Sequence, residues 1–434
     1  MRPVNKTHPH TAPTRAIRRF PRLNPPGWKS HKHEGKCLTT ENIYNRIVFV
    51  AKRDSDGYHD GKRGSNMEKC LLLILFLLQC LAGFVLFVRV RLGTSGSTTR
   101  EERGVSVIIP ARNEEENLPH LLGSIRVQSL RPREVIVVDD CSSDRTAEVA
   151  ARYGATVIRN TEPPAGWTGK NWALWNGFLA SSGDILAFFD ADVRLAPQAL
   201  ERLLAAREAC GGAVSVVPYH HMERAYEKLS LVAYLLGVFA FTSPFEKTNK
   251  KKGLYGSCIV LSRADYEKVN GHRGVSGEVL DDLNLGRQFT EAGIPIENNI
   301  GGDLVSFRMY PGGLKSELEG FGKGAVISTS SLTPRTILLI SVWLAGLLVT
   351  GFVTPVLLLA GRAWAWPFAA GYALYALQIL YFTGNTGDYG LAAPLLHFVP
   401  SLFFIVVMLY SVYRVVFLGS VTWKGRQIKL KGGR

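Results

Sequence analysis

The segment Asp184-Ile185-Leu186-Ala187-Phe188-Phe189-Asp190-Ala191-Asp192 ends a strand-like apolar run in two carboxylates at i and i+2. Alternation along a strand turns i and i+2 the same way, so Asp190 and Asp192 can face one ligand. Hard divalent cations such as Mg2+ or Mn2+ bind carboxylates and complete their shells with substrate phosphates. The pair therefore suits a metal–diphosphate site for a nucleotide-activated substrate. A strand ending in a polar turn gives the same pattern, and the rest of the chain must choose.

Other segments carry groups able to do chemistry. Gly166-Trp167-Thr168-Gly169-Lys170-Asn171-Trp172 frames a lysine with glycines near a helix start, which suits a phosphate. The spacing is not that of a P-loop, and a solvated loop lysine also fits; Trp172 and Trp175 read as helix packing. Gly277 to Arg287 opens an amphipathic helix bearing Asp281 and Asp282. Helix-capping acids explain these two, and so does a general base that takes a proton from an acceptor.

The positioning elements follow from apolar runs. Val105–Pro110 predicts a buried strand, followed by Asn113 and Glu115 and a helix to about Val127. Glu134–Val138 predicts a second strand, ending in Asp139 and Asp140, with a helix from Arg145 to Tyr153 and a third strand at Ala155–Ile158. This rhythm implies a parallel sheet with right-handed crossovers, whose ligands bind outside the carboxyl ends of strands. Each polar cluster taken alone could be a turn or a cap. Three at successive strand ends are harder to dismiss.

Hydrophobic residues are unevenly spread. Residues 70–88 carry no charge over 19 positions, enough for a transmembrane helix. Charge-free stretches recur at 336–361, 363–383 and 389–413, leaving a charge-rich region of about 240 residues between. The expected domains are a leader (1–66), an N-terminal membrane helix (70–88), a catalytic domain (104–330), C-terminal membrane helices (336–417) and a basic tail (418–434). Six scattered cysteines without a CxxC pair suggest neither zinc nor a disulfide framework.

The net charge of +15 is concentrated in the leader, where 14 Lys/Arg face five Asp/Glu, so +9 sits there and +6 (15 − 9) elsewhere. The leader reads as disordered, and Met67-Glu68-Lys69 before an apolar helix reads as the natural start, so no nucleic-acid partner is assigned. Counted from Met67, Lys69 precedes the helix while Arg89, Arg91, Arg100 and Arg103 follow it, which places the catalytic domain in the cytoplasm. Lys424, Arg426, Lys429, Lys431 and Arg434 ask for the same side. Three full C-terminal spans would put them outside, so one stretch is expected to be re-entrant or interfacial; Pro355, Pro367, Pro394 and Pro400 make breaks plausible.

The ordered motifs VSVIIPARNEEENL, VIVVDDCSSDRT, GKNWALWNG, ILAFFDADVRL and VLDDLNLGRQ resemble family 2 glycosyltransferases, over residues 105–310. With the flanking helices, the GWTGKNWAL block and the Val421–Arg426 tail, the chain resembles membrane-bound carotenoid-acid glycosyltransferases of the diaponeurosporenoate type. The resemblance implies a GT-A fold: an α/β, Rossmann-like, mostly parallel sheet, with one N-terminal and about three C-terminal membrane helices. By position it assigns Pro110, Asn113, Glu115 and Asp139 to the nucleotide, Asp139 toward the base with Asp140 beside it. Lys170 would meet the nucleotide or its diphosphate, Asp190 the ribose or sugar, and Asp192 a divalent metal, Mg2+ or Mn2+. Asp282 matches the base-like acid, and Asp281 stands where glutamate is common. The QxxRW signature of processive synthases is absent, Leu318–Lys323 occupying roughly its place, which argues for a single transfer.

The function implied is an inverting transfer of one hexose, glucose, from a UDP-sugar to a membrane lipid, a carotenoid carboxylic acid, giving a glycosyl ester. Other acceptors (polyprenyl phosphate, hopanoid, diacylglycerol, a ceramide-like lipid) share the motifs, and a catalytically silent membrane scaffold is the rival of another class. A transporter is excluded by the lack of paired intramembrane charges. Leu229–Phe241 reads either as a core helix followed by a basic loop, Lys247–Lys252, or as a helix lying on the membrane with lysines against anionic headgroups. Tyr255–Cys258 and Asn270–His272 would flank the acceptor's entrance.

Overall fold

The computed structural model describes residues 61–88, 92, 104–324, 331–423 and 426–429. Residues Gly64–Arg434 form one compact unit. Residues 1–60 of the leader expected over 1–66, the arginines 89, 91, 100 and 103, and the tail cations Lys424, Lys431 and Arg434 lie outside the described residues.

The catalytic region is built on a seven-stranded sheet. Its first strands are β1 (Val105–Ala111), β2 (Glu134–Asp139), β3 (Thr156–Arg159) and β4 (Ile185–Phe189), followed by β5 (Val193–Leu195), β6 (Ala213–Val217), β7 (Tyr219–His220), β8 (Cys258–Ser262), β9 (Ile296–Ile300) and β10 (Val305–Phe307). The sheet order is β3-β2-β1-β4-β8-β6-β9. Pairs β1–β2, β1–β4, β2–β3 and β6–β9 are parallel, while β8 runs antiparallel to β4 and β6. β4 is buried at every position and β1 at all but Pro110, the signature of strands covered on both faces.

The chain runs β1, β2, β3 outward, then returns past β1 to β4, so the strand order reverses beside β1. A ligand crevice belongs at the carboxyl ends there. Helices Leu118–Arg126, Thr146–Arg152 and Gly169–Ala180 make the crossovers, each within a few residues of the expected bounds. Strands β5, β10 and β7 add a small second sheet that continues the crevice.

The apolar segment after residue 229 is a core helix. Leu231–Thr242 buries Leu231, Val232, Tyr234, Leu235, Val238 and Phe239, and Phe239 meets Trp343 and Phe382 edge-on. The basic loop that follows is mostly at the surface: Lys247, Lys250 and Lys251 are exposed, while Lys252 is buried and donates to the Ile296 carbonyl at 3.0 Å.

The apolar helices are Gly61–Leu86, Pro334–Leu359, Ala365–Thr386 and Phe398–Val412. By length and composition, Asn66–Leu86, Ala225–Thr242, Pro334–Leu359 and Phe398–Phe417 are each able to cross a membrane. The third C-terminal stretch is broken. After Thr386 the chain forms a bridge between Gly387 and His220, at the catalytic sheet. It then passes the short Ala392–Leu395 helix to His397, which stacks on Tyr372 at 4.1 Å and lies beside Gly351. Phe398–Val412 runs back to the catalytic region, where Tyr410 packs against Gly322.

Candidate functional site

A cavity of about 620 Å³ opens at the carboxyl ends of β1, β2 and β4. Pro110, Asn113, Glu115, Asp140, Lys170, Asp190, Asp192, Asp281 and Asp282 all line it. Asp139 is absent from this lining. It is buried behind the wall, where one oxygen accepts the Ser142 N–H at 3.0 Å.

Two loops form the outer wall and are laced together. Asn113 sits in the left-handed region at φ 53°, where asparagine is tolerated better than most residues. Its Oδ1 accepts the Ser143 N–H at 2.8 Å, and its own N–H donates to Ser142 Oγ at 3.0 Å. Glu115 Oε2 accepts from the Arg145 backbone and Nε, each at 3.1 Å. Asp144 accepts the Glu115 N–H at 3.1 Å. These bonds hold the two loops in register.

The floor carries the charge. The Gly169–Ala180 helix starts at Thr168, whose hydroxyl accepts the Asn171 N–H at 3.3 Å, an N-cap. This places Lys170 in the first turn, its Nζ 2.7 Å from Asp190 Oδ1. Burial works against the ammonium, but Asp190, Asp281 and Asp282 outweigh it and hold its pKa above the ordinary lysine range. Asn171 is fully buried and donates to the carbonyls of Val275, Ser276 and Glu278 at 2.8, 3.0 and 3.2 Å. It thereby pins the loop leading to Asp281 against the Lys170 helix. Nothing in the sequence reading gave Asn171 a role; a polar residue inside a helix's first turn was the available signal.

The opposite wall begins at the Asp281–Glu291 helix. Asp282 accepts the Gly256 N–H at 3.0 Å and its neighbour Leu283 N–H at 2.9 Å. Gly256 is required there, since a Cβ would lie 2.9 Å from Asp282 Oδ2. Burial first, and the charge of Asp281 second, push Asp282 up to about 6. Asp281 lies 3.9 Å from His272 Nε2. Burial pushes His272 down to about 4, so this imidazole is neutral near pH 7, and Tyr266 pairs with its Nδ1 at 2.6 Å. His272 is 2% exposed and stands behind Asp281, not at an entrance. Tyr255, Gly256 and Ser257 do line the cavity.

No sequence motif assigned the last wall. Arg308 and Tyr310 come from the segment that follows β10, and Gly320 and Lys323 from the Leu314–Gly324 helix. Arg308 is fixed by Glu223 at 2.7 Å and Glu227 at 2.8 Å. Tyr310 holds φ 53°, an outlier for a bulky residue of the kind found at functional sites.

Among the described residues, no three His, Cys, Asp or Glu side chains form a ready metal cage. The donor set suits a cation held jointly with a substrate. Asp192 and Asp190 offer oxygen ligands on one cavity, and Mg2+ or Mn2+ completes its shell with water and phosphate oxygens.

The family description "Glycosyl transferase family 2" matches residues 106–269. A 4,4'-diaponeurosporenoate glycosyltransferase of Staphylococcus haemolyticus (strain JCSC1435) is 35% identical over 345 residues, covering 77% of this chain and 90% of that one. The protein of the same name from Staphylococcus aureus (strain USA300) is 29% identical over 366 residues, covering 83% and 97%. A mannosyltransferase from Pyrobaculum calidifontis, solved with GDP-Man and Mn2+, aligns with a TM-score of 0.44 at 18% identity, over 80% of this chain and 96% of that one. The chain belongs to glycosyltransferase family 2 and is a membrane-type glycosyltransferase with a GT-A catalytic domain.

Proposed function

We propose that the protein moves one glucose from UDP-glucose to a carotenoid carboxylic acid in the membrane, with inversion, giving a glycosyl ester. The observation that carries this is one cavity with a diphosphate-type floor, Lys170 on Asp190 with Asp192 beside them, facing the acid pair Asp281 and Asp282. The Staphylococcus relatives named for 4,4'-diaponeurosporenoate support the acceptor class.

Asp192, with Asp190, would hold the divalent cation, which when bound offsets negative charge on the diphosphate. Lys170 adds a fixed cation where charge gathers on the departing UDP, the main lever in such displacements. In the transfer, an acceptor oxygen bonds to the anomeric carbon as the bond to the diphosphate oxygen breaks, and UDP leaves with that electron pair. A hydroxyl acceptor would surrender its proton to Asp282. A carboxylic acid is already ionised at neutral pH, so Asp282 then has no proton to take; it mainly orients or shields, and its own charge opposes a second carboxylate.

The same reading sets the topology. Pro334–Leu359 leaves the catalytic region, and Gly351 lies about 25 Å along it at 1.5 Å per residue. A segment that starts at His220, reaches Gly351 and returns to Gly322 fits a re-entrant element. That keeps the basic tail on the catalytic, cytoplasmic side and satisfies the positive-inside rule.

The test is to incubate membranes with labelled UDP-glucose and extracted lipid pools and to identify the labelled lipid. Label in an alkali-labile ester of a polyene acid is expected. Label in a phosphodiester or an ether-linked lipid would remove the carotenoid-acid reading, and no labelled lipid at all would favour a silent scaffold.

A further inference from the structure

We infer that Lys323 is the specificity-determining residue for acceptor charge: its ammonium receives the carboxylate of an acidic lipid acceptor. The inference rests on the acceptor reading above and names the group that recognises the acid.

Lys323 lies in the last turn of the Leu314–Gly324 helix and faces the cavity. That helix is placed tightly on both sides. A Cβ on Gly320 would stand 2.1 Å from the Tyr310 ring, and one on Gly322 would stand 2.6 Å from Tyr410 of the Phe398–Val412 membrane helix. The lysine is thus carried on an element wedged between the reaction cavity and a membrane helix. A long apolar acceptor reaching the cavity from the bilayer would arrive along this wall.

The charges around Lys323 locate it within the site. Burial lowers its pKa; Asp281 opposes the drop, Lys170 adds to it, and Asp282 and Asp190 oppose it. Lys323 lines the same cavity as the acid pair and feels their charge. Lys170 already serves the floor through Asp190. An anionic acceptor approaching Asp282 would meet two carboxylates there. Binding it requires a compensating cation, because an unpaired charge in a partly desolvated cavity is costly. Lys323 is the cation that this wall presents to the cavity. A neutral lipid alcohol would need no such group. The lysine is then the feature that separates acid from alcohol acceptors, since specificity is a difference of affinities.

The experiment uses the full chain in lipid nanodiscs, with Lys323→Gln and Lys323→Arg. Acceptors are an isoprenoid polyene acid and its primary alcohol; acid binding is also followed by tryptophan quenching with UDP present. Lys323→Gln is expected to raise KM for the acid about 10–100-fold, the usual cost of losing a charged hydrogen-bond partner. KM for UDP-glucose should stay within about twofold, and Lys323→Arg should recover most of the acid affinity. An unchanged acid KM with a raised UDP-glucose KM would overturn the inference and assign the lysine to the diphosphate. Equal losses on acid and alcohol would also overturn it. If the wild type binds the acid in preference to the alcohol, loses that preference in Lys323→Gln, yet never glycosylates the acid, the inference stands and the proposed reaction falls. If the wild type shows no preference for the acid, both fall.

Discussion

The donor and acceptor walls of the cavity are built in opposite ways. The donor wall uses the ends of three neighbouring parallel strands, and its side chains accept backbone N–H groups across two short loops. The acceptor wall is gathered from distant segments: Gly256, Asp282, Tyr310 and Lys323. It includes a residue at strained φ and a helix leaning on a membrane helix. In the proposed function, the first wall is a rigid socket for the sugar donor, and the second receives the lipid acceptor and sets specificity.

The sharpest way to break this division is Asp282→Asn. With a lipid alcohol as acceptor, the loss of a general base should cost about 10²–10⁴-fold in kcat; with a carboxylic acid, the loss should be much smaller. Equal and complete loss on both would mean that Asp282 serves the reaction in some way other than proton transfer. The pH profile gives the sign independently. Asp282 is raised from its ordinary 3.8 to about 6, and only the ionised form accepts a proton, so alcohol transfer should fall as pH drops through about 6. Stability runs the other way. A raised carboxyl favours the fold while protonated, and that contribution is lost as pH rises from about 4 to about 6. Asp282→Asn should therefore stabilise the protein above pH 6, by roughly 1–2 kcal/mol after allowing for partial exposure, visible as a higher Tm that vanishes below pH 4.

On the donor wall, Asp192→Ala should lower kcat by about 10²–10³-fold for every acceptor alike. It should also abolish the stimulation by Mn2+ in a metal titration. A loss that depended on the acceptor would blur the two walls into one.

How legible each wall was in the sequence follows from the same contrast. Asp140 and the Asp190/Asp192 pair announced themselves because each ends an apolar run, and position on a parallel strand fixes position in the crevice; Asp139, at the end of the same run as Asp140, lies behind the cavity wall. The apolar helices were legible from their lack of charge, and the demand that the basic tail share a side with the globular region called for one irregular stretch among the three without saying which. Short strands such as β7, two residues long, show no alternation to read, so the second sheet was invisible. Asn270–His272 was expected to flank the entrance, but His272 is buried and bonded to Tyr266 six residues earlier. Tyr310 and Lys323 reach the cavity only through tertiary packing at Gly320 and Gly322, which no local pattern records.

That packing can be attacked directly. Gly320→Ala would force the Tyr310 ring or the helix to move, at a cost of about 1–3 kcal/mol typical of overpacking. Acceptor KM should rise by about 10-fold or more, while UDP affinity measured by calorimetry stays near the wild-type value. If UDP affinity fell in parallel, the Tyr310–Lys323 wall would belong to the donor as well.

The smallest effect is expected from the outer lacing of the donor loops. Arg145 bonds Glu115 at 3.1 Å, but its side chain is 69% exposed. Solvent and salt screen such pairs to about 0–1 kcal/mol. Glu115 would keep its bond from the Arg145 backbone N–H after Arg145→Ala, so the loop should hold its register. UDP-glucose KM should change by no more than about threefold, and less at high salt. A larger change that persists at high salt would mean that Arg145 touches the nucleotide itself, and that the rigid socket relies on an exposed cation as much as on its buried bonds.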